Sequence, residues 1–186
     1  MLQLKNEKEK KMARQNLTIN KEDNTFVLDR AAIPGGGWRN FIGGPTKFDP
    51  RNTKRFFEIF LEDNEAEKLK AAGYNVKWLE SRNESEPKQA HLRIFINYDV
   101  PPRFQPKIWL VPNGEKPELQ DKDTVGVFDG ATITRAKLQV RPYNWELPSG
   151  AKGVKAMLNQ AYIILEEDEF GAEFYGGQAE EEVPFE

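Results

Sequence analysis

Aromatic rings and basic side chains are interspersed along three separate stretches of this chain. A ring offers a flat face on which an unpaired nucleobase can stack, and a nearby Lys or Arg can contact the phosphates that flank that base. The repeated combination predicts a surface that binds a single nucleic-acid strand. The candidate residues are Trp38, Arg39, Phe41, Lys47 and Lys54, then Arg93, Phe95, Tyr98, Lys107 and Trp109, and finally Arg135, Lys137, Arg141 and Tyr143.

Many of the rings must instead fill the core, because a domain of this size needs a large apolar interior. Alternation along a strand separates the two uses, since successive side chains point to opposite faces. The segment 92–97 places Leu92, Ile94 and Ile96 on one face and Arg93, Phe95 and Asn97 on the other. We therefore expect Phe95 to be a stacking residue, whereas Phe57, Ile59 and Leu61 share one face and are expected to pack inside.

The C-terminal segment has a different character. From Glu166 to Glu186 the chain carries nine acidic residues and no basic ones, which leaves residues 1–165 with 27 basic and 21 acidic residues. Such a charge split is typical of nucleic-acid binding combined with an acidic interaction tail. A tail that serves only solubility is the simpler alternative. The expected partner-binding residues are Glu180, Glu181, Glu182, Val183, Pro184 and Phe185.

This tip resembles the acidic tip of bacterial single-stranded DNA-binding proteins, in which acids precede a hydrophobic residue, a proline and a terminal phenylalanine. The resemblance implies that the tip recruits partner proteins. One departure is that Glu186 follows Phe185, so the free carboxylate is displaced by one residue.

Catalysis and cofactor binding find little support in the sequence. The chain has no cysteine and one histidine, His91, so a zinc site of the usual ligands is not expected. The glycines at 35–37 lack the Gly-Lys-Ser/Thr ending of a phosphate-binding loop. We expect no enzyme, no metal and no cofactor. The absence of a signal-peptide pattern or a membrane-length apolar run indicates a soluble, cytoplasmic protein without membrane contact.

Turn signals about every ten residues separate short segments rich in aromatic and branched residues. Strands are expected at 38–42, 55–61, 76–79, 92–98, 107–111, 135–141 and 154–165, with one helix at 63–73. The pattern predicts a mainly β fold, an OB-fold-like antiparallel barrel with one or two short helices. An immunoglobulin-like sandwich fits the strand count almost as well. The expected boundaries are a basic, flexible arm at 1–20, the domain at 21–168 and a disordered acidic tail at 169–186.

Several motifs resemble a family of bacteriophage-encoded proteins. They are Trp38–Phe48 (WRNFIGGPTKF), Asn75–Leu79 (NVKWL), Arg141–Glu146 (RPYNWE), and Gly153–Leu158 (GVKAML) continuing through Glu166–Phe170. The resemblance implies a single-stranded DNA-binding protein with an OB-type barrel, which in a phage would act in the host cytoplasm. The role it implies is the coating of single-stranded phage DNA during replication or recombination, without catalysis.

Two other functions remain open at the level of sequence. The barrel could be a protein-interaction or virion-structural module whose acidic tail recruits a partner, or it could bind RNA. A homo-oligomer is possible for each of these functions, and the sequence does not decide the number of subunits.

Overall fold

Ten strands and one α-helix make up the part of the chain that the computed structural model describes, which is residues 14–80, 83–85, 87–112 and 116–166. No helix within these ranges has the length and apolar character needed to cross a membrane. The elements are β1 (Asn16–Ile19), β2 (Phe26–Asp29), β3 (Arg39–Asn40), β4 (Arg55–Leu61), α1 (Asp63–Ala71), β5 (Lys77–Leu79), β6 (Gln89–Ile96), β7 (Lys107–Leu110), β8 (Glu118–Gln120), β9 (Ile133–Glu146) and β10 (Lys152–Leu165).

All ten strands belong to one curled sheet with the central order β1-β2-β9-β10-β6-β4-β3. The long strands β9 and β10 form an antiparallel hairpin, whereas β10 runs parallel to β6 through its first half and to β7 through its second half. The sheet curls far enough for Ala32, just after β2, to form a single bridge with Phe60 of β4. The expectation of a mainly β, OB-like fold is confirmed, although the ladder does not close and two junctions are parallel.

The core lies on the concave side of this sheet and follows the two-residue period of its strands. On β6, Leu92, Ile94 and Ile96 are buried, and on β4 the residues Phe57 and Ile59 are completely enclosed. Each such side chain contributes about 1.5–3 kcal/mol by its removal from water. Because this inward row is fixed by packing, the intervening side chains of the same strands must face outward.

Helix α1 forms where the sequence predicts it. Asp63 and Glu65 lie in its first turn and Lys68 and Lys70 lie near its end, so the charges complement the helix dipole. The chain leaves the helix through Gly73, whose φ of +96° is unfavourable for any residue with a side chain. The helix packs Ala66 and Leu69 against the core.

The segment 38–42 is less regular than the strand expected there. A 3-10 turn at Gly36–Trp38 precedes β3, which has only two residues. The strand ends after Asn40 because the next two amides donate to a side chain: the Asp129 carboxylate accepts from Phe41 N at 2.7 Å and from Ile42 N at 3.1 Å. The strands β1, β2 and β8 were not expected, and β1 lies inside the stretch 1–20 assigned to the arm, with Leu17 and Ile19 packed against the core.

Arg39 and Phe41 are interior residues, so the expectation that they contact nucleic acid is wrong. The Arg39 guanidinium donates to the carbonyl oxygens of Pro34 at 2.8 Å, Phe128 at 2.9 Å and Ile33 at 2.9 Å, and also to that of Ala131. Burial lowers the pKa of this guanidinium, which nevertheless stays charged at neutral pH. The Phe41 ring is fully buried and stacks on Phe57 with centroids 5.1 Å apart.

We expect Arg39→Lys to lower the free energy of unfolding by about 2–4 kcal/mol, because a lysine cannot reach the same four carbonyls and leaves several of them unpaired in the interior. Urea unfolding monitored by tryptophan fluorescence measures the change. Arg135→Lys is the matched control, since Arg135 is exposed, and its effect should stay within about 0.5 kcal/mol. Equal stability of the two variants would contradict the structural role of Arg39.

Candidate nucleic-acid interface

The outward side of β6 carries His91, Arg93 and Phe95, as its alternation with Leu92, Ile94 and Ile96 requires. The antiparallel register places Phe56 of β4 opposite Phe95, and the parallel register places Met157 of β10 beside Phe95 on the other edge. Side chains from three adjacent strands therefore meet on one face of the sheet. This arrangement is the one that the sequence predicts for Arg93 and Phe95.

Arg93 is held in one orientation by two neighbours. Its Nε donates to Glu58 Oε1 at 2.8 Å, and its guanidinium carbon lies 4.0 Å from the centroid of the Phe56 ring. The second oxygen of Glu58 is 3.0 Å from His91 Nδ1, and Glu58 as a residue is only 3% exposed. The Arg93 side chain is 49% exposed. Its two terminal nitrogens have no hydrogen-bond acceptor among the described residues, which leaves a guanidinium with a fixed orientation available to an anion.

A groove of about 740 Å³ runs over this face. His91, Arg93 and Phe95 line it from β6, Trp38 lines one end, and Trp145, Lys152 and Lys155 line it from the β9–β10 hairpin. Trp38 packs edge-on against His91, with centroids 5.6 Å apart. The Lys155 ammonium lies 4.6 Å from the centroid of the Phe95 ring. The groove thus combines rings with cations along its length.

A second groove of about 420 Å³ begins on the other side of Phe95, and both Phe95 and Lys155 line the two grooves. Tyr98, Arg55 and Lys54 line the second one. The Arg55 guanidinium lies 5.0 Å from the centroid of the Tyr98 ring. Burial raises the pKa of Tyr98 to about 12, in keeping with the packing of this ring against the core.

The outer ends of β9 and β10 continue past the junction with β6 as a two-stranded ribbon. Tyr143 pairs with Lys155, and Trp145 pairs with Gly153. Tyr143 is 54% exposed and Trp145 is 37% exposed. The Trp145 indole lies so close over Gly153 that a β-carbon there would come within 2.6 Å of Trp145 Cζ2. The glycine therefore allows the indole to lie flat along the ribbon, where it forms a wall of the first groove.

The remaining predicted residues are distributed over neighbouring parts of the sheet. Lys47 is exposed on the loop before β4. Arg141 pairs with Met157, which lines the second groove. Trp109 of β7 stacks on Tyr162 of β10 with centroids 6.1 Å apart, and the pairing register places Lys137 beside Tyr162. Lys107 lies opposite Gln160 on the same side of the sheet. A second aromatic and basic patch therefore lies along β10 and consists of Trp109, Tyr162, Lys107 and Lys137.

Arg135 is engaged elsewhere, since its Nη2 donates to Asp29 Oδ2 at 2.9 Å and to Oδ1 at 3.2 Å. The bond to Arg135 lowers the pKa of Asp29. Glu180, Glu181, Glu182, Val183, Pro184 and Phe185 lie outside the described residues, as does most of the acidic segment.

Sequence reasoning did not select Glu58, Lys152 or Lys155 as interface residues. Lys155 could have been found, because its alternation with the apolar residues Ala156 and Leu158 on a predicted strand places it on the outward face. Glu58 carried no such signal. Its role depends on Arg93 and His91, which are more than thirty positions away in sequence.

A curled, mainly β domain with rings and cations on one outward face belongs to the class of OB-like single-stranded nucleic-acid-binding proteins. The family described as "Putative phage ssDNA-binding domain" matches residues 15–181. The chain belongs to this family of phage single-stranded DNA-binding proteins, which bind DNA rather than catalyse a reaction. The match begins one residue before β1 and so includes this strand.

The fold is similar to that of the single-stranded DNA-binding protein from bacteriophage Enc34 in complex with ssDNA, with a TM-score of 0.51 and 10% sequence identity over 84% of this chain and 94% of that one. A C-terminal truncation of the Enc34 protein has a TM-score of 0.49 and 9% identity over 82% of this chain and 92% of that one. No curated protein matches the chain.

We expect Glu58→Gln to weaken binding to single-stranded DNA about 5-fold, because the amide loses the charge-assisted bond that orients Arg93. Removing a negative charge from a cationic groove would by itself strengthen binding, so the sign of the change distinguishes orientation from simple charge. Fluorescence anisotropy with a labelled oligo-dT measures the affinity.

The double variant Glu58→Gln/Arg93→Ala provides the control for this prediction. If Glu58 acts through Arg93, the double variant binds no more weakly than Arg93→Ala alone. Tighter binding by Glu58→Gln, in a protein whose unfolding midpoint shows it to be folded, would contradict the orienting role.

Proposed function

We propose that this protein coats single-stranded phage DNA without sequence preference during replication or recombination, using the outward face of β6 and β10. The observation that carries the proposal is the row formed by Phe56, Phe95 and Met157, with the Arg93 guanidinium over the Phe56 ring and the Lys155 ammonium over the Phe95 ring. Stacking is sequence-tolerant because every base has a π-face, and phosphate contacts do not read sequence.

Binding of a DNA strand would replace the contact between Lys155 and Phe95 by a stacked base, with a net gain in binding free energy. In the free protein the Lys155 ammonium covers the Phe95 ring, a contact worth about 0.5–1 kcal/mol at an exposed site. A stacked base contributes about 1–3 kcal/mol. The displaced ammonium would then reach a neighbouring phosphate, so Lys155 serves both states. The Arg55 guanidinium over Tyr98 is also held by hydrogen bonds from Nη1 to Phe41 O and Lys122 O, each at 2.9 Å, so it would stay in place when a strand enters the second groove.

The strand would pass from the ribbon, over Phe95, into the groove that holds Tyr98, Lys54 and Arg55. This path is supported by the continuity of the two grooves, which share Phe95 and Lys155 as lining residues. The patch of Trp109, Tyr162, Lys107 and Lys137 further along β10 offers a second stretch of the same chemistry. We include it, with Trp38, Lys47, Arg141 and Tyr143, in the proposed DNA-binding surface.

The acidic tail would recruit replication or recombination proteins through its tip and, in the absence of DNA, compete for the basic face. The support is the opposition of charge, with nine acidic residues in 166–186 against an excess of six basic residues in 1–165. Like the phosphates it would mimic, the tail offers closely spaced negative charges to the same cations.

We expect Phe95→Ala to weaken oligo-dT binding between about 5-fold and about 100-fold, because a base loses its stacking ring, while the dependence of affinity on salt stays the same. Lys155→Ala should instead lower the slope of log affinity against log salt by about 0.7, the value for one phosphate contact with a single strand. Anisotropy titrations at several salt concentrations measure both effects.

Phe95→Tyr is the matched control and should bind oligo-dT like the unaltered protein, because it keeps a ring for stacking. Oligo-dA and oligo-dC should bind within about 10-fold of oligo-dT. Competition with the corresponding ribose strands tests RNA as the ligand, and a preference for ribose would contradict the DNA proposal. A protein that binds neither strand would favour the interaction or virion-structural role.

Deletion of residues 170–186 should raise the affinity for oligo-dT at low salt, because the competing carboxylates are removed from the basic face. The difference between the full and shortened chains should shrink as salt is raised, since screening weakens the competition. Affinity that is the same for both chains at low salt would show that the tail does not compete with DNA.

A further inference from the structure

The loop between β3 and β4 presents a phenylalanine that has no place in the core. Phe48 is 92% exposed, which is the largest exposure of any large hydrophobic side chain among the described residues. A single exposed apolar residue is common on protein surfaces and by itself indicates nothing. What distinguishes Phe48 is its setting, because Lys47 precedes it and Arg51 and Lys54 follow on the same loop.

Hydrogen bonds within this loop hold it in a defined shape. Asp49 N donates to Thr46 Oγ1 at 2.9 Å, and Thr46 N donates to Asp49 O at 3.0 Å, so that Phe48 lies in a closed turn. The Asn52 side chain donates to Gly44 O and to Lys54 O, each at 3.0 Å, which joins the two ends of the loop. The outward position of Phe48 is therefore built into the loop.

The loop and the sheet enclose a hollow of about 490 Å³. Phe48 and Lys47 line it from the loop, and Phe56 and Arg93 line it from the sheet. Arg93 also lines the first groove, so the hollow continues the proposed DNA-binding surface across β4.

Two carboxylates also border this hollow, and both are engaged in holding the backbone. Asp129 accepts hydrogen bonds from the amides of Phe41 and Ile42, and Asp49 accepts one from the amide of Arg51 at 3.1 Å. Both carboxylates keep their negative charge. The groups that can attract a polynucleotide are the Phe48 ring, the ammonium of Lys47 and the terminal nitrogens of Arg93, since the Phe56 ring is 6% exposed and lies under the Arg93 guanidinium.

We propose that Phe48 is a further base-binding residue, which stacks on a nucleobase of a strand that extends past Arg93 into this hollow. Lys47 contacts the phosphate next to that base, and Arg93 contacts the phosphate on the side of the first groove. The ligand is a single-stranded polynucleotide, since in a duplex the faces of each base are covered by the neighbouring base pairs and are not available to Phe48. The inference rests on the proposed function and adds a binding position on the opposite side of Arg93 from Phe95.

Phe48→Ala tests the proposal without disturbing the fold, because a side chain that is 92% exposed contributes little packing. We expect affinity for oligo-dT to fall between about 5-fold and about 100-fold, with the salt dependence unchanged. Phe48→Trp should bind like the unaltered protein. Lys47→Ala should reduce the salt slope by about 0.7. Thermal unfolding should be the same for Phe48→Ala and the unaltered protein.

Phe104→Ala is the matched control. Phe104 is also an exposed phenylalanine on a turn, at 52%, and has a basic neighbour, Arg103, whose guanidinium lies 4.6 Å from its ring centroid. It lines none of the three hollows described above, so its removal should change the affinity less than 2-fold. Equal losses for Phe104→Ala and Phe48→Ala would overturn the assignment of a specific base contact.

The outcomes separate this inference from the function on which it rests. If Phe95→Ala weakens binding and Phe48→Ala does not, the loop residue is not part of the interface and the inference fails alone. If neither variant weakens binding, the face of β6 and β10 does not hold the strand and the proposed function fails with it.

Discussion

The two-residue alternation along β6 is the constraint on which the rest of the structure depends. Because Leu92, Ile94 and Ile96 are packed in the core between β4 and β10, the strand cannot shift by one residue without moving three large apolar side chains into water. Arg93 and Phe95 are thereby fixed on the outward face. The parallel junction with β10 then brings Lys155 and Met157 to the same place, so one packing requirement assembles the candidate interface from three strands.

Electrostatics within this interface depends on a buried acid. A carboxylate as enclosed as that of Glu58 is costly unless its oxygens are paired, and Arg93 and His91 satisfy one oxygen each. In this arrangement the Nε of Arg93 donates to Glu58, and the terminal nitrogens of Arg93 face outward. Lys155 lies over the Phe95 ring, whereas Arg55 lies over Tyr98 and also donates through Nη1 to Phe41 O and Lys122 O. In the free protein Lys155 therefore covers the ring face on which the proposed base would stack.

Sequence patterns predict the side chains of this candidate site that lie on regular strands. They fail where contacts between distant parts of the chain determine the position of a side chain. Arg93 and Phe95 follow from alternation alone, and the OB-like, mainly β fold follows from strand and turn signals. Arg39 and Phe41 were placed wrongly, because partners far along the chain hold them inside. The Arg39 guanidinium donates to the carbonyl of Phe128, 89 positions later, and the carboxylate of Asp129 accepts from the Phe41 amide. The pairing of Arg135 with Asp29 spans 106 positions and has no local signature. The length of β9 was also underestimated. The sequence predicts a strand at 135–141, whereas β9 runs from Ile133 to Glu146 and forms the ribbon with β10.

The most direct test of the central claim is a map of backbone amide chemical shifts by NMR as oligo-dT is added to the protein. The account predicts that the largest changes fall on β6 around Arg93 and Phe95, on the first half of β10 and on the ribbon, while β1 and the exposed side of α1 change little. Changes concentrated on β1, β2 or α1, with β6 and β10 unaffected, would contradict it.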